Sequence, residues 1–218
     1  RRIDARVSVT VTDPYGKETG YVMGRVTADI VTVSHQHPGH NAVSAVAGTP
    51  RVIAGPGEYE IANAFIIGLD SYHDQAKGAE RGKNIIFLIE MDDITVCHLG
   101  DLGHTLSAEQ VEALSAAHVL LVPVGGTTTI DAARAAETVR LLEPKLVIPM
   151  HYKTEAISRD LAPVDRFLRE MGLKEAPPEP KLSVTKTTLP PETRVVVLDY
   201  RRQGAAATPP PATPSPAQ

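Results

Sequence analysis

Tryptophan is absent from this 218-residue chain, and aromatic side chains make up only 4 % of it, as three phenylalanines and six tyrosines. Small aliphatic residues, alanine and valine above all, must therefore pack most of the core. Cysteine is nearly absent too. Cys97 stands alone, which excludes an intramolecular disulfide and points to a reducing compartment, the cytoplasm. No apolar run reaches the ~18 residues that span a bilayer, so no membrane partner is expected. Excess positive charge is also missing: the formal net charge is −4, and without a basic stripe a nucleic acid is a disfavoured partner. What remains is an ordinary globular composition, 42 % hydrophobic and 22 % charged, long enough to bury a real core.

The hydrophobic pattern divides the chain into two strand-rich halves with helices between strands. Arg6 to Thr12 alternates apolar and hydroxyl residues and reads as a half-buried strand, closed by the turn Asp13-Pro14-Tyr15-Gly16. Short β-branched or aliphatic runs predict strands at Ile30–Val33, Arg51–Ile53, Tyr59–Ile61, Phe65–Leu69, Val119–Val124 and Leu146–Met150. Ile85–Glu90 and Thr95–Leu99 read as a hairpin turning at Asp92-Asp93. Helices are expected at Asn41–Ala47, from the capping-box spacing Ser107…Gln110 to Ala116, at Asp131–Leu142 and at Val164–Met171. Closing strands are expected at Leu182–Thr185 and Arg194–Leu198. Two sheets face to face with helices outside fit this order. One domain over residues 1–203 is expected, followed by an Ala/Pro-rich tail, 204–218, too poor in apolar surface to order itself. The chain opens on Arg1 rather than Met, which leaves the first strand open to being incomplete.

Eight histidines contrast with these scarcities, and three fall within six residues: His35-Gln36-His37-Pro38-Gly39-His40. In extended chain, residues two apart point to the same side, so His35 and His37 can grip one ion, while the Pro38-Gly39 turn swings His40 toward a neighbouring position. Neutral imidazole is a favoured ligand for zinc and its neighbours.

His-x-His-x-x-His after a strand, with Asp13 upstream, resembles the metallo-β-lactamase superfamily. Tyr72-His73-Asp74, Cys97-His98-Leu99-Gly100-Asp101 and Ile148-Pro149-Met150-His151-Tyr152 follow in the family's order, and the chain is most similar to the small UlaG-like hydrolases. The resemblance implies an α+β fold, the four-layer αββα sandwich, with one or two Zn2+ ions, or Mn2+ or Fe2+ in their place. It implies His35, His37 and His73 at a first metal, His40 and His151 at a second, Asp101 shared between them, and Asp13 orienting the ligands from behind. The implied chemistry is hydrolysis by hydroxide generated at the metal, acting on a small-molecule substrate: an anionic ester, lactone, amide or phosphoester. The competing readings are a phosphodiesterase or nuclease of the same superfamily, and a metal-binding interaction protein with little catalysis.

One position departs from the family pattern. Gly39 stands where the family usually carries a ligating Asp, so the second ion should bind more weakly and the site should keep about two positive charges by formal counting. After Pro38, Gly39 is open to a positive φ, and nearby Glu58 is a further carboxylate able to approach the metals. Asp101 and His104 are the candidates for moving protons, and Lys153, Gly126 and Thr127 those for holding substrate. His98 reads as a packed residue behind the site, His118 as a residue without chemistry, and Cys97 as core.

Overall fold

The structure, a computed structural model, describes residues 8–201, so Arg6, Val7 and the expected tail lie outside the described residues. Its amino-terminal part contributes five short strands: β1 Thr10–Thr12, β2 Val26–Thr27, β3 Ile30–Thr32, β4 Val46–Ala47 and β5 Arg51–Ile53. The remainder supplies β6 Gly57–Ile61, β7 Ala64–Tyr72, β8 Lys83–Met91, β9 Ile94–His98, β10 Val119–Pro123, β11 Leu146–Met150 and β12 Arg194–Val195. Its helices are α1 Ala108–Leu114, α2 Ala132–Leu142 and α3 Val164–Glu170.

A seven-stranded sheet in the order β12-β11-β10-β9-β8-β7-β6 faces a three-stranded parallel sheet, β1-β3-β5, with β2-β4 as a separate ribbon. Strand β8 shows how sequence builds this layering. Its run Asn84-Ile-Ile-Phe-Leu-Ile is apolar on both sides because both sides are buried. Ile85, Phe87 and Ile89 pack against Ile30 and Ile53 between the sheets, while Ile86 and Leu88 meet Leu114 of α1, Val139 of α2 and Phe167 of α3. The expected sandwich is present. The outer layer on the amino-terminal side is formed by the β2-β4 ribbon and single 3-10 turns; among the described residues every α-helix lies after Ala108.

Local chemistry placed most elements. Ser107 and Gln110 form the reciprocal capping box of α1, and Asp131 caps α2 by accepting the Arg134 N–H at 2.9 Å. Asp92 and Asp93 both take positive φ, 49° and 62°, as a two-residue hairpin loop requires. Two expectations fail. Asn41–Ala47 is not a helix: Val43–Ala45 makes one 3-10 turn, then Val46 and Ala47 pair with Val26 and Thr27. Sheet pairing there outweighs the weak helical preference of a segment holding two valines. Leu182–Thr185 is not a strand. Leu182 and Val184 still pack on Ile94, Val119 and Leu146, so the alternation marks burial without a ladder. Among the described residues no helix is long and apolar enough to cross a membrane.

Candidate metal centre

Five strand ends deliver the site. Asp13 follows β1, His35 lies just past β3, His73 follows β7, Asp101 lies just past β9, and His151 follows β11. Strands β7, β9 and β11 run the same way in the large sheet, so their carboxyl ends share one edge, where ligands of α/β sheets collect.

The centre of the arrangement is one oxygen. Asp101 Oδ2 has the Nε2 atoms of His73 at 3.2 Å, His40 at 3.4 Å, His151 at 3.6 Å and His35 at 3.9 Å around it. A carboxylate oxygen cannot accept hydrogen bonds from four rings, and Asp101 Oδ1 and His35 Nε2 are buried with no hydrogen-bond partner. Ligand atoms 2.0–2.2 Å from a shared tetrahedral ion stand roughly 3.3–3.5 Å apart, which is the spacing seen. Three donor sets fit an ion: His35, His73 and Asp101; His40, Asp101 and His151; and His35, His37 and His40. Imidazole with carboxylate suits zinc and its first-row neighbours. The residues fit the metal.

Hydrogen bonds behind the ligands fix which nitrogen faces inward. Asp13 accepts from His40 Nδ1 at 2.8 Å, leaving Nε2 toward Asp101, and also accepts the Ser34 N–H and hydroxyl at 2.7 and 2.5 Å. Ser34 Oγ lies 3.0 Å from His35 Nδ1. Asn84 accepts the Asp101 N–H at 2.9 Å and donates to Ser71 Oγ and the Leu99 carbonyl, locking the turn that carries Asp101. Asp74, next to His73, accepts four backbone N–H groups from Ala76 to Arg81, which organises the loop after β7. Glycines let these segments close. A Cβ on Gly100 would sit 2.4 Å from Asn84 Oδ1, on Gly103 2.3 Å from the His73 carbonyl carbon, and on Gly125 2.1 Å from the His151 carbonyl oxygen. Asp13 and His151 themselves hold positive φ, 45° and 53°, strain of a kind that collects at functional sites.

Two buried carboxylates, Asp13 and Asp101, favour positive charge at the centre. Burial opposes a charge on His40, but the hydrogen bonds it donates to Asp101 and Asp13 outweigh it and raise its pKa to about 10. Burial and the neighbouring His40 push His35 down to about 4, which keeps it the neutral ring a metal requires. Burial also works against the Asp101 charge, yet His151, His40 and His73 hold its carboxyl well below the usual range.

Other candidates separate. His37 belongs to the cluster from one side only. Its Nδ1 accepts the Gly39 N–H at 3.1 Å and its Nε2 lies 3.4 Å from the Arg159 guanidinium. His104 turns away: its Nδ1 engages the Thr105 carbonyl at 2.8 Å and its ring lies against Tyr72, lining neither cavity beside the centre. Lys153 is committed to structure, since its ammonium donates to the carbonyls of Ile157 and Arg159 at 2.6 and 2.8 Å. Thr127 lines a cavity of about 410 Å³ with His73 and Arg81, but its hydroxyl donates to the Asp160 carbonyl. Gly126 shapes that turn at φ 66° and is not on the cavity wall. Glu58 is exposed on edge strand β6 and joins no donor set, and Gly39 does not take positive φ. His98 is buried behind Asp13, and His118 Nδ1 accepts the Thr95 N–H. Burial pushes the Cys97 thiol far up, so it is no nucleophile.

A second cavity, about 490 Å³, opens on His40, Asp101 and His151. Arg159 and four tyrosines on its wall escaped sequence reasoning. Only the tyrosines' scarcity elsewhere hints at them.

Residues 3–151 match the family described as the β-lactamase superfamily domain. A metal-dependent hydrolase of Staphylothermus marinus is 27 % identical over 148 residues, which cover 58 % of this chain and 63 % of that protein. One from Pyrococcus horikoshii is 34 % identical over 121 residues, covering 54 % and 52 %. The chain thus spans between about half and two thirds of the length of these two relatives. A crystal structure from Thermotoga maritima, described as a candidate Zn-dependent hydrolase of the metallo-β-lactamase superfamily, is 42 % identical. It has a TM-score of 0.73, and the match covers 88 % of this chain and 89 % of that one.

Proposed function

This chain belongs to the metallo-β-lactamase superfamily, and from that premise we propose that it is a cytoplasmic, UlaG-like zinc hydrolase of a small anionic ester, lactone, amide or phosphoester. The convergence of four imidazole nitrogens on Asp101 Oδ2 carries the reading. His35, His73 and Asp101 would hold one ion, with His37 completing it from the Arg159 side, and His40, Asp101 and His151 the other. A bound divalent ion supplies Lewis acidity, lowering the pKa of water and polarising a carbonyl or phosphoryl oxygen.

The chain's own residues do the rest. Asp13 holds His40 in the tautomer that presents Nε2. Asp101, held ionised by His151, His40 and His73, would orient the attacking water by accepting its hydrogen bond rather than store its proton, and His104 bonds to the Thr105 carbonyl instead of lining the cavity. Arg159, at the cavity wall beside His37, supplies a guanidinium for a carboxylate or phosphate, the task first expected of Lys153. A cavity near 490 Å³ suits a small molecule rather than a polymer.

Metal content and turnover test this. Protein purified without chelator should carry one to two ions per chain. It should hydrolyse some member of a lactone, ester and phosphodiester panel, losing activity to chelator and regaining it with zinc or manganese. Absence of metal uptake at micromolar free zinc overturns the proposal.

A further inference from the structure

Resting on the hydrolase reading, we propose that the larger cavity selects substrates whose group beside the scissile bond is a flat aromatic ring. A chain with six tyrosines and no tryptophan places four of them, Tyr15, Tyr21, Tyr152 and Tyr200, around this one space. They come from three separate stretches of sequence; Tyr152 also packs on the main core, but Tyr15, Tyr21 and Tyr200 belong to no core cluster, so core packing does not explain their gathering. Tyr21 meets Tyr15 and Tyr200 edge to face, with centroids 6.1 and 6.0 Å apart, and its hydroxyl bonds to Thr154. The wall is therefore preorganised rather than a set of free side chains. Leu121 and Ile148 add apolar surface, and His40, Asp101 and His151 face the same space.

Aromatic rings favour other rings in offset or edge-on contact beyond what area alone gives, and tyrosine offers that contact at low entropic cost. Polarity sets the orientation. Four carboxylates, Asp13, Glu18, Asp101 and Asp199, line the wall and Arg159 is its one guanidinium, so an anionic group on the ligand pairs with Arg159 beside His37. The ring then lies among the tyrosines and the scissile bond next to Asp101.

Equilibrium binding separates this from catalysis. The full chain, both chelator-treated and zinc-loaded, is titrated calorimetrically with 2-naphthoate, its fully saturated decalin analogue, and acetate. Naphthoate should bind roughly tenfold more tightly than the decalin acid. Tyr21→Leu should remove most of that ratio. Arg159→Met should weaken both ring acids alike and keep the ratio, and Tyr59→Leu, away from the cavity, should change nothing. If Tyr21→Leu does not fold by circular dichroism, Tyr200→Leu decides the matter. Equal affinity for the flat and saturated acids overturns the inference, as does an unchanged ratio in a folded Tyr21 or Tyr200 variant. Ring-selective binding without turnover of any aryl ester, lactone, amide or phosphoester leaves the ring preference standing and removes the hydrolase reading. Turnover of small alkyl esters without ring preference does the reverse.

Discussion

The donor cluster around Asp101 hangs on strand ends, whereas the cavity beside it is closed on its outer side by segments with almost no regular structure. Asp13, His73 and His151 are each one residue past a strand, and their backbone is held by sheet pairing. Over a floor of β10 and β11 residues such as Leu121 and Ile148, that outer side is made of residues 15–21, 152–161 and 198–200, tied by a few side-chain bonds such as Lys153 to Ile157 and Arg159. Rigid placement suits ligands, which tolerate errors of tenths of an ångström. A loop-built wall can vary its shape without disturbing them. Chemistry and selectivity thus sit on parts of the molecule with different mechanical support.

Asp101→Ala should break the comparison most severely. Four rings would lose their shared oxygen, and zinc affinity should fall by more than the ~10–100-fold that loss of an outer partner costs. Zinc titration reads this directly, while the metal-free variant should keep the preference for naphthoate over the decalin acid, since losing a carboxylate that faces the cavity acts on both anions alike. Loss of both together would mean that cavity and cluster are one unit. Asp13→Asn is milder. The amide keeps shape but no longer holds the charge beside His40, and zinc binding to the His40–Asp101–His151 set should weaken ~10–100-fold. Unchanged affinity would show that Asp13 serves the fold alone.

The two regions also differ in how far the sequence disclosed them. His35, His37, His40, His73, Asp101 and His151 sit in short motifs, because a strand end fixes a side chain's position within a few residues. The hairpin at Asp92-Asp93 and the cap at Ser107 were legible for a similar reason, each being set within a few residues. Arg159 and the tyrosines were not, since their neighbourhood is created only when distant loops meet. Lys153 shows the hazard: adjacent to His151 in sequence, it turns its ammonium to its own loop. Asn84 carried a signal, a lone amide opening an apolar strand, which marks a buried group needing partners. The helix expected at Asn41–Ala47 failed because pairing with Val26 is invisible to local pattern.

Gly39→Asp sharpens the cluster's side. Gly39 is outside the left-handed region, so an L side chain meets no backbone penalty there. Its Cβ would lie 3.2 Å from His37 Nδ1, a contact that the ring relieves by shifting a few tenths of an ångström. An added carboxylate raises the ligand charge at the weaker site, and the second zinc should bind roughly tenfold tighter, about 1.4 kcal/mol. Equal affinity in a folded variant would mean the new carboxylate does not reach the ion.

Lys153→Met should give the smallest effect and the clearest reading of the wall. The substitution keeps the aliphatic stem but removes two charge-assisted bonds to the Ile157 and Arg159 carbonyls, worth roughly 1–2 kcal/mol to a loop this exposed. Other ties remain, among them the Lys153 N–H to the Ala162 carbonyl, the Ala162 N–H to the Gly125 carbonyl, the Thr127 hydroxyl to the Asp160 carbonyl, and Tyr21 to Thr154. The loop should therefore loosen without leaving, with faster amide exchange over residues 154–160, a KM raised about three- to tenfold, and unchanged zinc affinity. Substrate charge separates the two roles for this lysine. If it only holds the loop, neutral and anionic aryl esters lose affinity by the same factor, because the whole wall shifts. If instead the ammonium meets substrate, the loss is confined to anionic esters and amide exchange stays as it was. A charge-dependent loss would return to Lys153 the role assigned above to Arg159.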